Sequence, residues 1–288
     1  MHNFDNSFFH AMIHKDIVTL GNAASGKTNF MGCAFLYVSQ KMNDILKING
    51  NNATFDNFIT QVGRNLPNGR WMEKTTKPNV FNFEMRHPVP CWFDTYRDIS
   101  VHDWPGEAFE ALGDLDGWTS ARNLDPGLKG QFLDILAKAQ NFIIFIDAAC
   151  LYDDATKNRV SRSLNGLKAI LMNNKRSRRF AFALTKSDML DRDKEYSLSA
   201  GVLNLHKIKD ALRGEYDTFF RYLEYVGYEY SIWPVSCIPV AAHRWVDPDR
   251  GTVPNKGWSV DDLQHNEQMS PFIWIQDKII YDWFPWMD

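Results

Sequence analysis

The sequence predicts an α/β protein, with a mostly parallel sheet of about six strands sandwiched between two layers of helices. Three observations carry this expectation. Short apolar runs alternate with longer amphipathic stretches along the chain, the pattern of repeated strand-helix units. The run Phe142–Ile146 is apolar at every position, as befits a parallel strand covered on both faces. A glycine-bearing turn, residues 21–26, lies between the first apolar run and the first amphipathic one, where such sheets place their ligands.

The elements follow in order. A first strand is expected over Asp16–Leu20, stopping at Gly21, and a helix from Gly26 through Phe30, Ala34, Leu36 and Val38 to Leu46, ended by Asn49 and Gly50. Residues 54–77 hold a short helix around Phe58 and Val62, then a loop rich in Asn, Gly and Lys. Strands at Val80–Met85 and Thr95–His102 are close enough in sequence to form a hairpin, so one edge strand is expected to be antiparallel. A loop-like stretch follows Gly106. Next come a helix over 130–139, the strand Phe142–Ile146, a helix over 155–172, the strand Phe180–Leu184, a long helix over 203–226 and a last strand over 231–235. Residues 241–268 read as an excursion, and Phe272, Ile275 and Ile279 mark a final helix over 271–283. The whole chain, 1–288, is expected to be one such domain with insertions near 49–77, 108–127 and 241–268.

Composition narrows the function classes. Hydrophobic residues make up 44% and charged residues 23%, which excludes a disordered chain. The charge balance, 32 Lys and Arg against 35 Asp and Glu, argues against a nucleic-acid partner held by broad electrostatics. No apolar run approaches the roughly 18 residues of a membrane span, and His10, His14, Lys15 and Asp16 interrupt the first apolar stretch in a way a signal peptide would not. The four cysteines (Cys33, Cys91, Cys150, Cys237) form no Cys-x-x-Cys pair, and reduced thiols in a cytoplasm are expected.

The sharpest motif is Gly21-Asn22-Ala23-Ala24-Ser25-Gly26-Lys27-Thr28, which fits the phosphate-loop pattern G-x-x-x-x-G-K-S/T. Glycine lets the backbone curl around phosphates with its N–H groups inward, and the following helix N-terminus adds partial positive charge. Lys27 reaches the β- and γ-phosphates, and the Thr28 hydroxyl suits Mg²⁺. Chance yields the pattern in about one such chain in a hundred, and here it also sits between an expected strand and an expected helix. A second element, Asp103-Trp104-Pro105-Gly106-Glu107, ends a strand; its carboxylate can support a Mg²⁺ shell and its glycine N–H can meet a γ-phosphate. A third, Thr185-Lys186-Ser187-Asp188, also follows a strand. An Asp there can accept from the two neighbouring N–H groups of guanine, a donor pair that adenine lacks. A fourth, Ser236-Cys237, follows the last strand.

With these four elements in this order, the sequence resembles the Ras-like, translation-factor-related P-loop GTPases over about residues 14–240. Asp103-Trp104-Pro105-Gly106-Glu107, Asp147 and Ser270-Pro271-Phe272 look most like the double-GTPase-like proteins of bacterial conflict systems. The resemblance implies a three-layer α/β/α fold, a Mg²⁺-dependent switch that binds GTP and GDP and hydrolyses GTP, and a protein effector or activating partner. It implies that Gly21, Asn22, Ala24, Ser25, Gly26 and Lys27 hold phosphates, that Thr28 and Asp103 serve the metal, and that Gly106 senses the γ-phosphate. Thr185, Lys186 and Asp188 would bind guanine, with Ser236 and Cys237 closing over it. A threonine of the preceding loop, Thr75 or Thr76, would close on Mg²⁺.

One departure matters. Where the family often has Gln, to orient the attacking water, this chain has Glu107. A carboxylate can accept from water, but beside a γ-phosphate its charge opposes the transition state unless a cation compensates. Arg64, Arg70 and Arg122 are candidates in cis. Two other function classes stay open: an ATPase or small-molecule kinase using Asp147 as its metal carboxylate, and a nucleotide-binding adaptor without turnover.

Overall fold

In the computed structural model the described residues are 14–41, 46–47, 53–65, 68, 70–88, 94–114, 125, 127–174, 176–199, 202–236, 246–247, 251–252 and 271. The expected strands are β1 (His14–Gly21), β3 (Asn79–Pro88), β4 (Asp94–Asp103), β5 (Asn141–Asp147), β6 (Arg179–Thr185) and β9 (Glu229–Pro234), with a two-residue β2 (Leu46–Lys47) added at the edge and a separate antiparallel pair, β7 (Ser197–Ser199) and β8 (Val202–Leu203). The sheet order is β2-β3-β4-β1-β5-β6-β9. The β4, β1, β5, β6 and β9 neighbours all run parallel. The hairpin expected from the close spacing of β3 and β4 is antiparallel, with Val80 opposite His102, and β2 pairs antiparallel to β3.

Two cores cover the two faces. The period of two along each central strand sends alternate residues to opposite sides. Phe142, Ile144 and Ile146 of β5, with Phe180, Phe182 and Leu184 of β6, join one core. Ile143 and Phe145, with Ala181 and Ala183, join the other. The first core packs on α3 (Gly106–Glu110), α4 (Leu128–Lys138), α5 (Asp154–Met172), α6 (Leu205–Glu215) and α7 (Asp217–Val226). The second packs on α1 (Lys27–Lys41) and α2 (Ala53–Asn65). This is the expected three-layer α/β/α sandwich.

Several element boundaries differ from expectation. Helix α1 ends at Lys41, not Leu46, because Leu46 pairs with Met85 at the sheet edge. The single helix over 203–226 is two helices, with Tyr216 between them: its backbone leaves helical geometry at φ −118°, ψ 34°, and its ring is buried at 3% exposure. The stretch after Gly106 begins as helix α3 and a 3₁₀ turn over Ala111–Gly113 rather than as loop; Ala108, Phe109 and Leu112 there are buried, which propensity alone does not reveal. Residues 246–247 and 251–252 form a small antiparallel pair within the excursion after β9. The final helix over 271–283 lies outside the described residues except at 271. Among the described residues, no helix is long and apolar enough to cross a membrane.

Candidate functional site

The motif residues meet at the carboxyl ends of the parallel strands. The turn after β1 curls back on itself: Ser25 N–H donates to the Asn22 carbonyl at 3.1 Å, and Ala24 (φ 63°) and Gly26 (φ 80°) adopt left-handed geometry. Alternating conformations of this kind aim successive N–H groups into one concavity. Helix α1 starts at Lys27, so the N–H groups of its first turn have no intrahelical carbonyl to meet and face the same hollow. The loop, with Thr28, Lys74, Thr75 and Gly106, lines an open cleft of about 210 Å³. Ser25 Oγ and Asn22 Oδ1 are buried within this loop with no hydrogen-bond partner. The Asn22 amide turns the other way and donates to Ser163 Oγ at 3.0 Å, so Asn22 meets the cleft through its backbone.

Lys27 and Asp103 are both buried, at 5% and 1% exposure, and form an ion pair. The Lys27 ammonium also donates to the Trp104 carbonyl at 2.6 Å. Thr75 completes the cluster. Its hydroxyl donates to Asp103 Oδ2 at 3.0 Å and lies 2.8 Å from Thr28 Oγ1, and since its one proton is on Asp103, Thr28 donates to Thr75. Of the two candidate threonines, it is therefore Thr75 that reaches this cluster, while Thr76 is exposed. Two threonine hydroxyls and a carboxylate linked in one hydrogen-bonded chain through Thr75 are hard oxygen donors that fit Mg²⁺, which binds few protein ligands and completes its shell with phosphate and water.

Gly106 packs against the phosphate loop so tightly that a Cβ there would lie 2.4 Å from Ala23 N. Beside it, Glu107 is ion-paired with Lys74, and Glu110 accepts from Ala23 N–H at 2.9 Å.

On the opposite side of the loop, Thr185 joins the glycine-bearing loop to the Thr185–Asp188 element. Its buried hydroxyl donates to the carbonyl of Ser25 and shares its proton with that of Ile146 at 3.1 Å. Lys186 sits in left-handed geometry at φ 56°, and its ammonium meets Asp147 Oδ2 at 2.5 Å. Asp147 also caps the next turn, accepting from Ala149 N–H at 3.0 Å, so both of its oxygens are engaged away from Thr28. Ser236 Oγ donates to Asp188 Oδ1 at 2.7 Å, and Val235 N–H donates to the Leu184 carbonyl, which brings the last motif against the third. Cys237 and Arg122 lie outside the described residues; Arg64 and Arg70 are exposed. His102, a strand-end histidine by sequence, faces Asp16 Oδ1 at 2.8 Å.

Four contributors escape the sequence reading. Thr19, opposite Asp103 in the sheet, donates to the His102 carbonyl at 3.1 Å and lies 3.3 Å from Asp103 Oδ1. It is the one polar residue in the run Ile17–Leu20, and that was a usable signal. Lys74, Glu110 and Ser163 carried none, because their partners are distant in sequence.

No protein-family profile matches the sequence, and no curated protein matches it. Solved structures do show similarity. The signal recognition particle receptor SRb-GTP/SRX complex from Chaetomium thermophilum aligns at TM-score 0.40 and 14% identity over 77% of this chain and 90% of that one. The Ski7 GTPase-like domain of S. cerevisiae bound to GTP aligns at 0.45 and 15%, over 82% of this chain and 45% of that one. The Arl6 BBS3 small GTPase of Trypanosoma brucei with bound GppNp aligns at 0.43 and 13%, over 92% and 96%. The likeness is one of general fold, and the sheet order and loop geometry given above stand on this chain's own coordinates.

Proposed function

We propose that this chain is a Mg²⁺-dependent guanine-nucleotide switch that binds GTP and hydrolyses it to GDP and phosphate. The observation that carries the reading is the bridge through Thr185. One buried hydroxyl ties the phosphate loop at Ser25 to the strand end that presents Lys186 and Asp188. This contact, with Asp188 held by Ser236, supports reading the loop and the Thr185–Asp188 element as parts of one nucleotide site.

In this reading the loop N–H groups and Lys27 hold the phosphates, and Asp188 accepts from the guanine edge while the Lys186 stem covers the base. Thr28 and Thr75 would hold Mg²⁺, with Asp103 behind them; the ion supplies neutralising charge on the phosphate oxygens when bound. Lys27 leaves Asp103 for the phosphates as nucleotide enters. A water oxygen then bonds to the γ-phosphorus in line. The bond to the β–γ bridging oxygen breaks with its electron pair left on GDP, and the water protons end on the released phosphate. Segments 70–77 and 106–114 carry Thr75 and Gly106 and would order with GTP and loosen with GDP, for a protein partner to read. Asp147 is committed to Lys186 and to a turn N–H, which disfavours its use as the metal carboxylate of an ATPase. A cytoplasmic location and a single domain belong to the same proposal.

The test is competition binding with fluorescent GDP and GTP analogues, with and without Mg²⁺, for the wild type and Asp188→Ala. The reading expects GTP to compete, ATP to fail, and Asp188→Ala to lose that preference. Equal competition by ATP would overturn it. Guanine binding without phosphate release, alone or with any partner, would leave an adaptor rather than a GTPase.

A further inference from the structure

Glu107 is a carboxylate one residue beyond the glycine that packs on the phosphate loop, and on charge alone it opposes the loss of a γ-phosphate. The structure supplies the compensating cation from the same chain. Lys74 forms an ion pair with Glu107, whose side chain is only 16% exposed.

Lys74 lines the cleft, and Glu107 is the next residue after Gly106, which lines it too. Lys74 immediately precedes Thr75, whose hydroxyl sits among Thr28 and Asp103, and it lies two residues after Met72, whose N–H donates to Asn29 Oδ1 at 2.9 Å. Glu107 follows Gly106 in a helix that Glu110 fastens to Ala23 N–H. The pair therefore joins two anchored segments that each contribute a residue to the cleft, Thr75 and Gly106. Lys74 is 55% exposed, so the pair is expected to act on the charge and position of Glu107 rather than on stability.

We propose that Lys74 is a positioning residue for GTP hydrolysis. It cancels the charge of Glu107 beside the γ-phosphate and fixes that carboxylate so that it accepts a hydrogen bond from the attacking water. The pair replaces the neutral amide that the resemblance leads one to expect at position 107. The inference rests on the GTPase reading above and deepens it.

The test uses the full chain as wild type, Lys74→Gln, Glu107→Gln and the double variant. Three quantities are measured for each: GDP affinity, single-turnover GTP hydrolysis at saturation, and melting temperature. Lys74→Gln is expected to slow hydrolysis about tenfold or more, with GDP affinity within about threefold of wild type and an unchanged melting temperature. Glu107→Gln removes the charge that needs compensating, so adding Lys74→Gln to it should change the rate less than about twofold. Lys74→Arg, which keeps the charge, should recover most of the loss. A purely structural role would lower the melting temperature or act equally in both backgrounds, and either result overturns the proposal. So does wild-type hydrolysis that Lys74→Gln leaves untouched. If the wild type binds no guanine nucleotide at all, the GTPase reading falls and this inference with it.

Discussion

The buried Lys27–Asp103 pair makes the nucleotide-free protein depend on a lysine that is usually considered only as a phosphate ligand. Lys27→Met keeps the length and apolar stem but removes the cation. Asp103 is then left as a carboxylate at 1% exposure, and removing one member of a buried ion pair costs about 3–5 kcal/mol. The Thr75 hydroxyl at 3.0 Å and the Thr19 hydroxyl at 3.3 Å remain on Asp103 and move the expectation to the low end. The Trp104 carbonyl loses its 2.6 Å donor, which adds about 1 kcal/mol. Lys27→Met should therefore destabilise the empty protein by about 3–4 kcal/mol, or about 6–15 °C in melting temperature. Asp103→Asn added to it removes the stranded charge and should recover about half. The assay is thermal and urea unfolding in EDTA with nucleotide stripped, because bound nucleotide stabilises by mass action and would mask the effect. The reasoning is refuted if stripped Lys27→Met melts within about 2 °C of wild type, or if the double variant is no more stable than the single one.

Three further outcomes follow from local geometry. Gly106→Ala places a Cβ 2.4 Å from Ala23 N and 2.7 Å from the Asn22 carbonyl carbon, so the loop must move; nucleotide affinity should fall at least about tenfold, measured by the same competition assay. Arg178, 1% exposed, donates to the carbonyls of Leu136, Ala137 and Ala139 at 2.8–2.9 Å, and Arg178→Met should cost about 3 kcal/mol in urea unfolding by stripping the end of α4 of its donors. Burial pushes the Cys150 thiol from 9.0 up to about 12, so the fold favours the neutral form. Its contribution to stability should be level below pH 9 and fall above it by up to about 1.4 kcal/mol per pH unit, because the unfolded thiol ionises first. Unfolding at pH 8 and 10 should show a smaller fall in Cys150→Ala, and Cys150 of the wild type should resist thiol reagents at pH 8 until unfolded.

Elements whose identity is local were legible. Strands β5 and β6 announced themselves because a chain buried on both faces is apolar at every position. The phosphate loop was legible because its geometry needs glycine at Gly26, whose φ is 80°, and a helix directly after it. Elements decided by distant packing were not. The break at Tyr216 in an otherwise continuous helical pattern, and the helix at Gly106–Glu110 in a stretch that reads as loop, both follow from side chains buried against other elements.

The site divides the same way. By itself the sequence determined the candidate parts and their order: a glycine-bearing loop ending in Lys27 and Thr28, a carboxylate at Asp103 with threonines before it, Lys186 and Asp188 after a strand, and a carboxylate at Glu107 where an amide was expected. Those follow from residue type and from position after a strand, which are local facts. Only the tertiary structure decided which parts touch. It chose Thr75 over Thr76, set Lys186 on Asp147, joined Thr185 to Ser25, and placed Lys74 on Glu107. Each of these partnerships closes a long loop of chain, and a hydrogen bond or ion pair across it depends on ångström placement that neither composition nor spacing encodes.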